Sequence, residues 1–288
     1  MAIENARGNR SLTGVRVAVT RSSGNDPHDR LSELLLECGA RPIAVPLTVT
    51  KPAGDPNMLV RAVRDLASYD WLVVSSPRTV APLCEAFQGA AIRIGGLRDR
   101  RLKVCAVGPQ TAEALTAVGL RPDLVPNRFR AEGVVGSLLD CESVEGLRIF
   151  FPRAEEGRDV IPRQLRDAGA HVDVVAAYRT AQIRGGGDRL SELVAAGDVD
   201  ALTFTAGSAA RVFAEAWNSY WAVCAEVVKA DTPALPVAVG VVALGPATAS
   251  VLEGRGMRVH RVARPHTLEG LVTALQDWSA DRDNKELS

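Results

Sequence analysis

The stretch GVRVAVTR (residues 14–21) returns as GLRIFFPR (residues 146–153), and this recurrence decides the fold. Working outward, the helical segment after each copy ends in a glycine, as LLLECGA at Gly39 and QLRDAGA at Gly169. DWLVVSS from Asp70 is matched by DALTFTA from Asp200. AVGPQTAEALTAVGL is matched by ALGPATASVLEGRGM, with Gly108 answering Gly245 and Thr111 answering Thr248. AEGVVGSLL is matched by LEGLVTALQ, with Glu132 answering Glu269. An offset of 132 residues separates Gly14 from Gly146, 130 separate Asp70 from Asp200, and 137 separate Glu132 from Glu269. So small a drift over so many segments points to an internal duplication.

Each copy alternates β-branched apolar runs with helical patterns. Strands are predicted at 15–20, 42–45, 71–75, 103–107, 147–151, 172–176, 201–205, 237–244 and 259–262. Most are near-continuous apolar runs, as parallel strands covered on both faces require. Helices are predicted at 29–37, 109–118, 160–168 and 208–217. The alternation implies α/β architecture with right-handed crossovers in doubly wound sheets. Nine or ten strands are too many for one sheet of ordinary size, so two lobes are expected. Residues 45–56, with Pro46, Pro52 and Pro56, and residues 176–188, with Gly185, Gly186 and Gly187, read as linkers.

The chain has 288 residues, with 34 Lys and Arg against 34 Asp and Glu. A formal charge of zero argues against a general nucleic-acid binder. The most apolar stretch, residues 236–245, is far shorter than the ~20 residues that span a bilayer. The N-terminal MAIENARGNRSLTG lacks the apolar core of a signal peptide. Five scattered cysteines and four dispersed histidines (His28, His171, His260, His266) show no metal-ligand spacing. Free thiols in a reducing cytoplasm are the expectation. His171 and His260 stand at strand starts and read as structural or exposed, and Trp217, Tyr220 and Trp221 read as a helix packing face.

In open α/β sheets ligands bind beyond the carboxyl ends of the strands. Four strand-to-helix turns share one chemistry there: SSPRT with Ser75 and Ser76, GPQT from Gly108 to Thr111, TAGS ending in Ser208, and GPAT from Gly245 to Thr248. Pro109 and Pro246 suit the first helical position. Helix starts expose N–H groups and a partial positive charge, so such turns hold anions, although capping by Ser and Thr alone produces the same pattern. Nucleotide fingerprints are missing: SSGNDP follows the first strand, and Pro246 and Ala247 stand where a P-loop needs Lys and Ser or Thr. Arg21 and Arg153 occupy matching strand ends and suit carboxylates through bidentate pairing. The turn with Glu155, Glu156, Arg158 and Asp159 reads as a solvated helix start. Tyr178 falls in a linker where no core position needs it; a proton donor and a packed hinge tyrosine both fit.

These segments together resemble the uroporphyrinogen-III synthase family. The resemblance rests on VAVTR, AVGPQTAEAL with the following AEG, the FPRA…RD…L…GA run, VAAYRT, DALTFT…S…V, VALGPATASVLEGRG and TLEGLVTAL, over residues 14 to 278. It implies two flavodoxin-like lobes joined by two linker strands, lobe one taking residues 1–48 and 181–288 and lobe two residues 49–180. It also implies an active site in the cleft between lobes, with no metal or organic cofactor. The implied substrate is hydroxymethylbilane, a linear tetrapyrrole with eight carboxylates. Water is lost, a spiro intermediate forms, and the ring closes with ring D inverted. Carried over by motif, Tyr178 assists hydroxyl departure, Thr111 and Thr248 bind substrate side chains, and Ser75, Ser76 and Ser208 lie nearby. Ala206 departs from the family's usual hydroxyl and puts Ser208 in doubt. The resemblance thus implies a cytoplasmic, cofactor-independent lyase, monomeric by default. A non-catalytic module sensing an anionic metabolite is the alternative; a two-lobed nucleotide-sugar transferase is disfavoured by the missing phosphate fingerprint.

Overall fold

A computed structural model describes residues 12–21, 29–97, 101–128, 131–228 and 235–286. Residues 1–11, the SSGNDP stretch and His28 therefore lie outside the described residues.

The chain divides into two compact units, one made of residues 1–49 and 181–288, the other of residues 50–180. Unit 1 is built on β1 (Arg16–Val19), β2 (Arg41–Ala44), β8 (Ala201–Phe204), β9 (Gly240–Ala243) and β10 (Arg261–Val262). Its sheet order is β2-β1-β8-β9-β10, and each neighbouring pair is parallel. Counted along the chain within the unit, that is second, first, third, fourth, fifth. The order reverses between β1 and β8, so crossovers leave that point to opposite faces. Unit 2 is built on β3 (Thr48–Pro52), β4 (Trp71–Val74), β5 (Lys103–Ala106), β6 (Arg148–Ala154) and β7 (His171–Gln182), in the order β3-β7-β6-β4-β5. The bridge from Cys105 to Leu124 extends it beyond β5, where unit 1 has β10.

Both sheets are covered on both faces, which explains the unbroken apolar runs. Along β4, Trp71 and Val73 enter one core while Leu72 and Val74 enter the other. The first core is closed by α5 (Ala131–Cys141) and α6 (Val160–Asp167), through Val134, Leu138, Ile161 and Leu165. The second is closed by α2 (Pro56–Arg64), α3 (Val80–Gly89) and α4 (Pro109–Ala117), through Leu59, Val63, Leu83, Phe87 and Leu115. In unit 1, α1 (Arg30–Glu37) and α10 (Leu268–Glu286) cover one face with Leu31, Leu35, Leu271 and Leu275. The other face is covered by α7 (Gly186–Ala195), α8 (Gly207–Val228) and α9 (Pro246–Glu253), with Leu190, Phe213, Trp217 and Leu252. Trp217 stacks with both Tyr220 and Trp221, so that aromatic group is a packing face.

The two units use the same local devices at matched positions. Asp200 Oδ2 accepts from Arg16 N–H at 2.7 Å, and Asp70 Oδ2 accepts from Arg148 N–H at 2.8 Å. Asp123 Oδ2 accepts from Val104 N–H at 2.7 Å; its counterpart is His260, whose Nδ1 accepts from Val241 N–H at 3.0 Å. α1 and α6 end alike, Ala40 N–H returning to Leu35 O and Ala170 N–H to Leu165 O, both at 3.0 Å. The glycine of AEG and of LEG has one steric reason. A Cβ on Gly133 would stand 2.0 Å from Arg128 O, and one on Gly270 would stand 2.0 Å from Pro265 O.

Several sequence expectations are corrected. Residues 48–52 form β3 inside the stretch read as a linker, and β7 runs on through Tyr178 to Gln182 inside the other. The strand expected at 237–244 starts only at Gly240, with Val237 outside it and 98% exposed. The one expected at 259–262 shrinks to Arg261–Val262.

Candidate functional site

β1, β2, β8, β9 and β10 run parallel in unit 1, as do β4, β5, β6 and β7 in unit 2, so the carboxyl ends of each set share one edge. The sequence-predicted residues of each unit gather there. In unit 1, Arg21 follows β1, Ser208 is the second residue of α8 after β8, and Gly245 to Thr248 lead from β9 into α9. β1 and β8 are tied at the reversal point by two buried threonines: Thr20 Oγ1 donates to Thr203 O at 2.6 Å, and Thr203 Oγ1 donates to Ala18 O at 2.8 Å. In unit 2, Arg153 is the penultimate residue of β6, Ser75 and Ser76 follow β4, and Gly108 to Thr111 lead from β5 into α4. The reversal point there lies between β6 and β4.

The GPQT and GPAT turns have identical architecture. Gly108 and Gly245 are the N-caps, and a proline opens each helix. A glycine cap offers no side-chain acceptor, so the first-turn N–H groups lack the usual capping partner. Thr111 and Thr248 are the third residues of α4 and α9 and are only 4% and 7% exposed. Deeper in a helix a threonine hydroxyl donates to the carbonyl four residues back, as Thr116 does to Ala112 and Thr273 to Glu269. At the third position that carbonyl lies outside the helix, and neither Thr111 nor Thr248 has a hydroxyl partner among the described residues. Two small-residue turns thus present a hydroxyl and a helix start to the strand-end edge of their own unit.

The SSPRT turn differs. It forms a short 3-10 turn at Pro77–Thr79 before α3 begins, and Ser76 Oγ caps it by accepting from Arg78 N–H at 3.3 Å. Thr79 is fully buried, and its Oγ1 has no partner among the described residues.

Both sequence-predicted arginines are engaged within their own loops. Arg21 Nε lies 3.5 Å from Oδ1 of Asp29, which caps α1 through Ser32 N–H. Arg153 donates to Asp159 Oδ1 at 2.7 Å and to Gly157 O. Each guanidinium therefore holds the aspartate at the start of the next helix. Sequence reading missed these pairings because the partners stand six and eight positions apart with no periodicity to relate them.

Tyr178 requires a correction. It is 6% exposed and packs in the core with Leu72, Val74, Val80 and Phe150, so a core position does need it. It still stands opposite Ala154, at the carboxyl end of β6, and its carbonyl accepts from Glu155 N–H at 2.8 Å.

The perturbed ionisable groups lie elsewhere. Arg16 holds the Asp200 carboxyl below its ordinary range, and Lys103 does the same for Glu142. Burial, then the bond to Asp173, pushes Tyr69 up to about 12. Arg16, Lys103 and Tyr69 stand at or just before the first residues of β1, β5 and β4, at the amino edge of the sheets. Among the described residues no cluster of three His, Cys, Asp or Glu side chains suits a metal, and no helix is long and apolar enough to cross a membrane.

Comparison with known proteins bears on family and fold. The family model described as "Uroporphyrinogen-III synthase HemD" matches residues 29–273. A uroporphyrinogen-III synthase of Synechococcus elongatus is 29% identical over 272 residues, covering 93% of this chain and 97% of that protein. Among solved structures, a mutant uroporphyrinogen III synthase from Thermus thermophilus superposes with a TM-score of 0.62 at 21% identity, covering 92% of this chain and 98% of that one. The Helicobacter pylori uroporphyrinogen-III synthetase superposes with a TM-score of 0.55 at 15% identity, covering 92% and 100%. At these identities the two structures speak for the fold.

Proposed function

We propose that this chain, which belongs to the uroporphyrinogen-III synthase family, cyclises hydroxymethylbilane with loss of water and inversion of ring D. The observation that carries the reading is the family match over residues 29–273, joined to a paired geometry that suits a polycarboxylate. Thr111 and Thr248 sit at equivalent helix starts with uncommitted hydroxyls, and helix starts favour anions.

In this reading the terminal hydroxymethyl group is protonated and leaves as water, giving an azafulvene cation. The substituted carbon of ring D attacks it, the spiro intermediate fragments and recombines with ring D reversed, and loss of a proton from the newly bonded ring carbon restores the pyrrole. Unaided closure gives the symmetrical isomer, so the protein must select a substrate conformation as well as speed a step. Positioning and exclusion of water carry most of that task. Tyr178 is assigned to assist departure of the hydroxyl, supported by its place beside the end of β6. Thr111, Thr248, Gly108, Gly245, Ser75, Ser76 and Ser208 are assigned to substrate carboxylates. Arg21 and Arg153 contribute positive charge from engaged positions. The reaction is a dehydration and rearrangement with no net redox change, so this scheme uses no metal or organic cofactor. The pairwise match of Asp70 with Asp200 and Gly133 with Gly270 supports descent by duplication of a flavodoxin-like unit.

The deciding experiment supplies freshly made hydroxymethylbilane to the full chain and identifies the product isomer. Uroporphyrinogen III, formed faster than the background reaction, is expected. The symmetrical isomer alone, at the uncatalysed rate, would overturn the reading.

A further inference from the structure

Arg264 and His266 belong to none of the matched turns, yet they stand just after β10, on the strand-end edge of unit 1. A cavity of about 590 Å³ opens there. One wall is the face of α9 formed by Pro246, Ala249, Ser250 and Glu253, and the other carries Arg264 and His266.

Three features give this groove a chemistry. Arg264 is exposed and, unlike Arg21 and Arg153, has no carboxylate partner among the described residues. His266 is fixed by its Nδ1, which lies 2.7 Å from Ala263 O. A carbonyl only accepts, so Nδ1 carries the proton and Nε2 is the ring nitrogen open to a ligand. The imidazole also lies over the start of α9: a Cβ on Gly245 would stand 3.8 Å from its Cγ. The positive end of the α9 dipole and two basic side chains therefore meet at one end of the groove. Glu253 lines the other end, seven residues or about 10 Å further along the helix, and repels a second acid there.

We propose that this groove is a carboxylate subsite of unit 1, in which Arg264 and His266 Nε2 grip a single acidic side arm of the substrate. In its doubly protonated form the ring donates from both nitrogens, Nδ1 to Ala263 and Nε2 to the carboxylate. The arginine supplies a planar fork for the same oxygens. The proposal rests on the reading of the substrate as a polycarboxylate and adds to it a place and a number: one arm, at the α9 start.

The test uses the full chain with R264Q and H266Q, and with R258Q as a control for the loss of an exposed positive charge elsewhere on the unit. Steady-state kinetics with hydroxymethylbilane are expected to show KM raised about tenfold by R264Q, more than kcat falls, as loss of a charged hydrogen bond implies. H266Q should act in the same direction, and R258Q should match wild type. Binding of uroporphyrin III, an octacarboxylate macrocycle, is read in parallel by quenching of tryptophan fluorescence, with the same ranking expected for Kd. If wild type yields no uroporphyrinogen III, the assigned reaction fails, and the quenching ranking still decides the subsite. Equal KM and Kd in R264Q and R258Q, or no binding of uroporphyrin III to wild type, would overturn the subsite.

Discussion

The indole of Trp278 on α10 occupies the space that a side chain on Gly240 would need: a Cβ there would stand 2.3 Å from Cε2. β9 can therefore lie close under α10 only because it starts with glycine. Gly240→Ala should destabilise unit 1 by about 1–3 kcal/mol, the usual cost of overpacking a core. Urea unfolding followed by fluorescence checks this. An unchanged midpoint would mean that Trp278 moves aside freely.

Tyr178 fills a core position with its ring, so Phe in its place keeps the packing. Tyr178→Phe should preserve the far-UV spectrum and the melting temperature while slowing cyclisation by about a hundredfold, the lower range for loss of a proton donor. Full activity in a folded Y178F protein would remove this hydroxyl from the reaction.

Thr111→Val and Thr248→Val remove hydroxyls that bond nothing else described. Stability should change by less than about 0.5 kcal/mol, because no protein partner is left unpaired. Turnover with hydroxymethylbilane should fall in each single variant and further in the double. Strong destabilisation would show that these hydroxyls serve the fold instead.

Asp200 links stability to pH. Its carboxyl is held below the ordinary range chiefly by the Arg16 side chain, which overcomes the opposing effect of burial. A folded value below the unfolded one adds stability above the unfolded value, near 3.9, and loses it as pH falls through the folded value. Asp200→Asn should thus be less stable than wild type at pH 7, with the gap closing below about pH 4. Chemical denaturation across pH 2.5–7 would reveal it; a gap constant over that range would rule out the linkage.

His260 does for Val241 N–H what Asp123 does for Val104 N–H. His260→Asp should therefore be tolerated, whereas His260→Ala leaves a backbone donor unpaired at about 1–3 kcal/mol. Comparison of the two melting curves decides; equal losses would show that the imidazole itself is required.

What the sequence made readable follows from burial. WLVV, ALTF and GVVA are covered on both faces, and their unbroken apolar character announced two α/β parallel-sheet units. TVTKP is exposed over most of its length and holds a proline, so its hydrophobicity gave no strand signal. The end of β7 is partly exposed, and YRTAQ reads as a linker although it pairs as strand. The proline-led helix starts at Gly108 and Gly245 were readable because proline and glycine have fixed positional meaning there. The engagement of Arg21 by Asp29 and the gathering of Arg264 and His266 beside α9 were not, because both depend on three-dimensional placement that no local pattern encodes.

The two-part construction of unit 1 bears on its birth at the ribosome. β1 and β2 are made early, but β8, the central neighbour of β1, is translated only after the whole of unit 2. At ordinary elongation speed that delay is on the order of ten seconds. Residues 50–180 can complete a sheet of their own in the meantime, while the nascent Val17–Val19 stretch keeps one apolar flank without its mate. Misassociation is therefore most dangerous in that interval, well before the last helix is released.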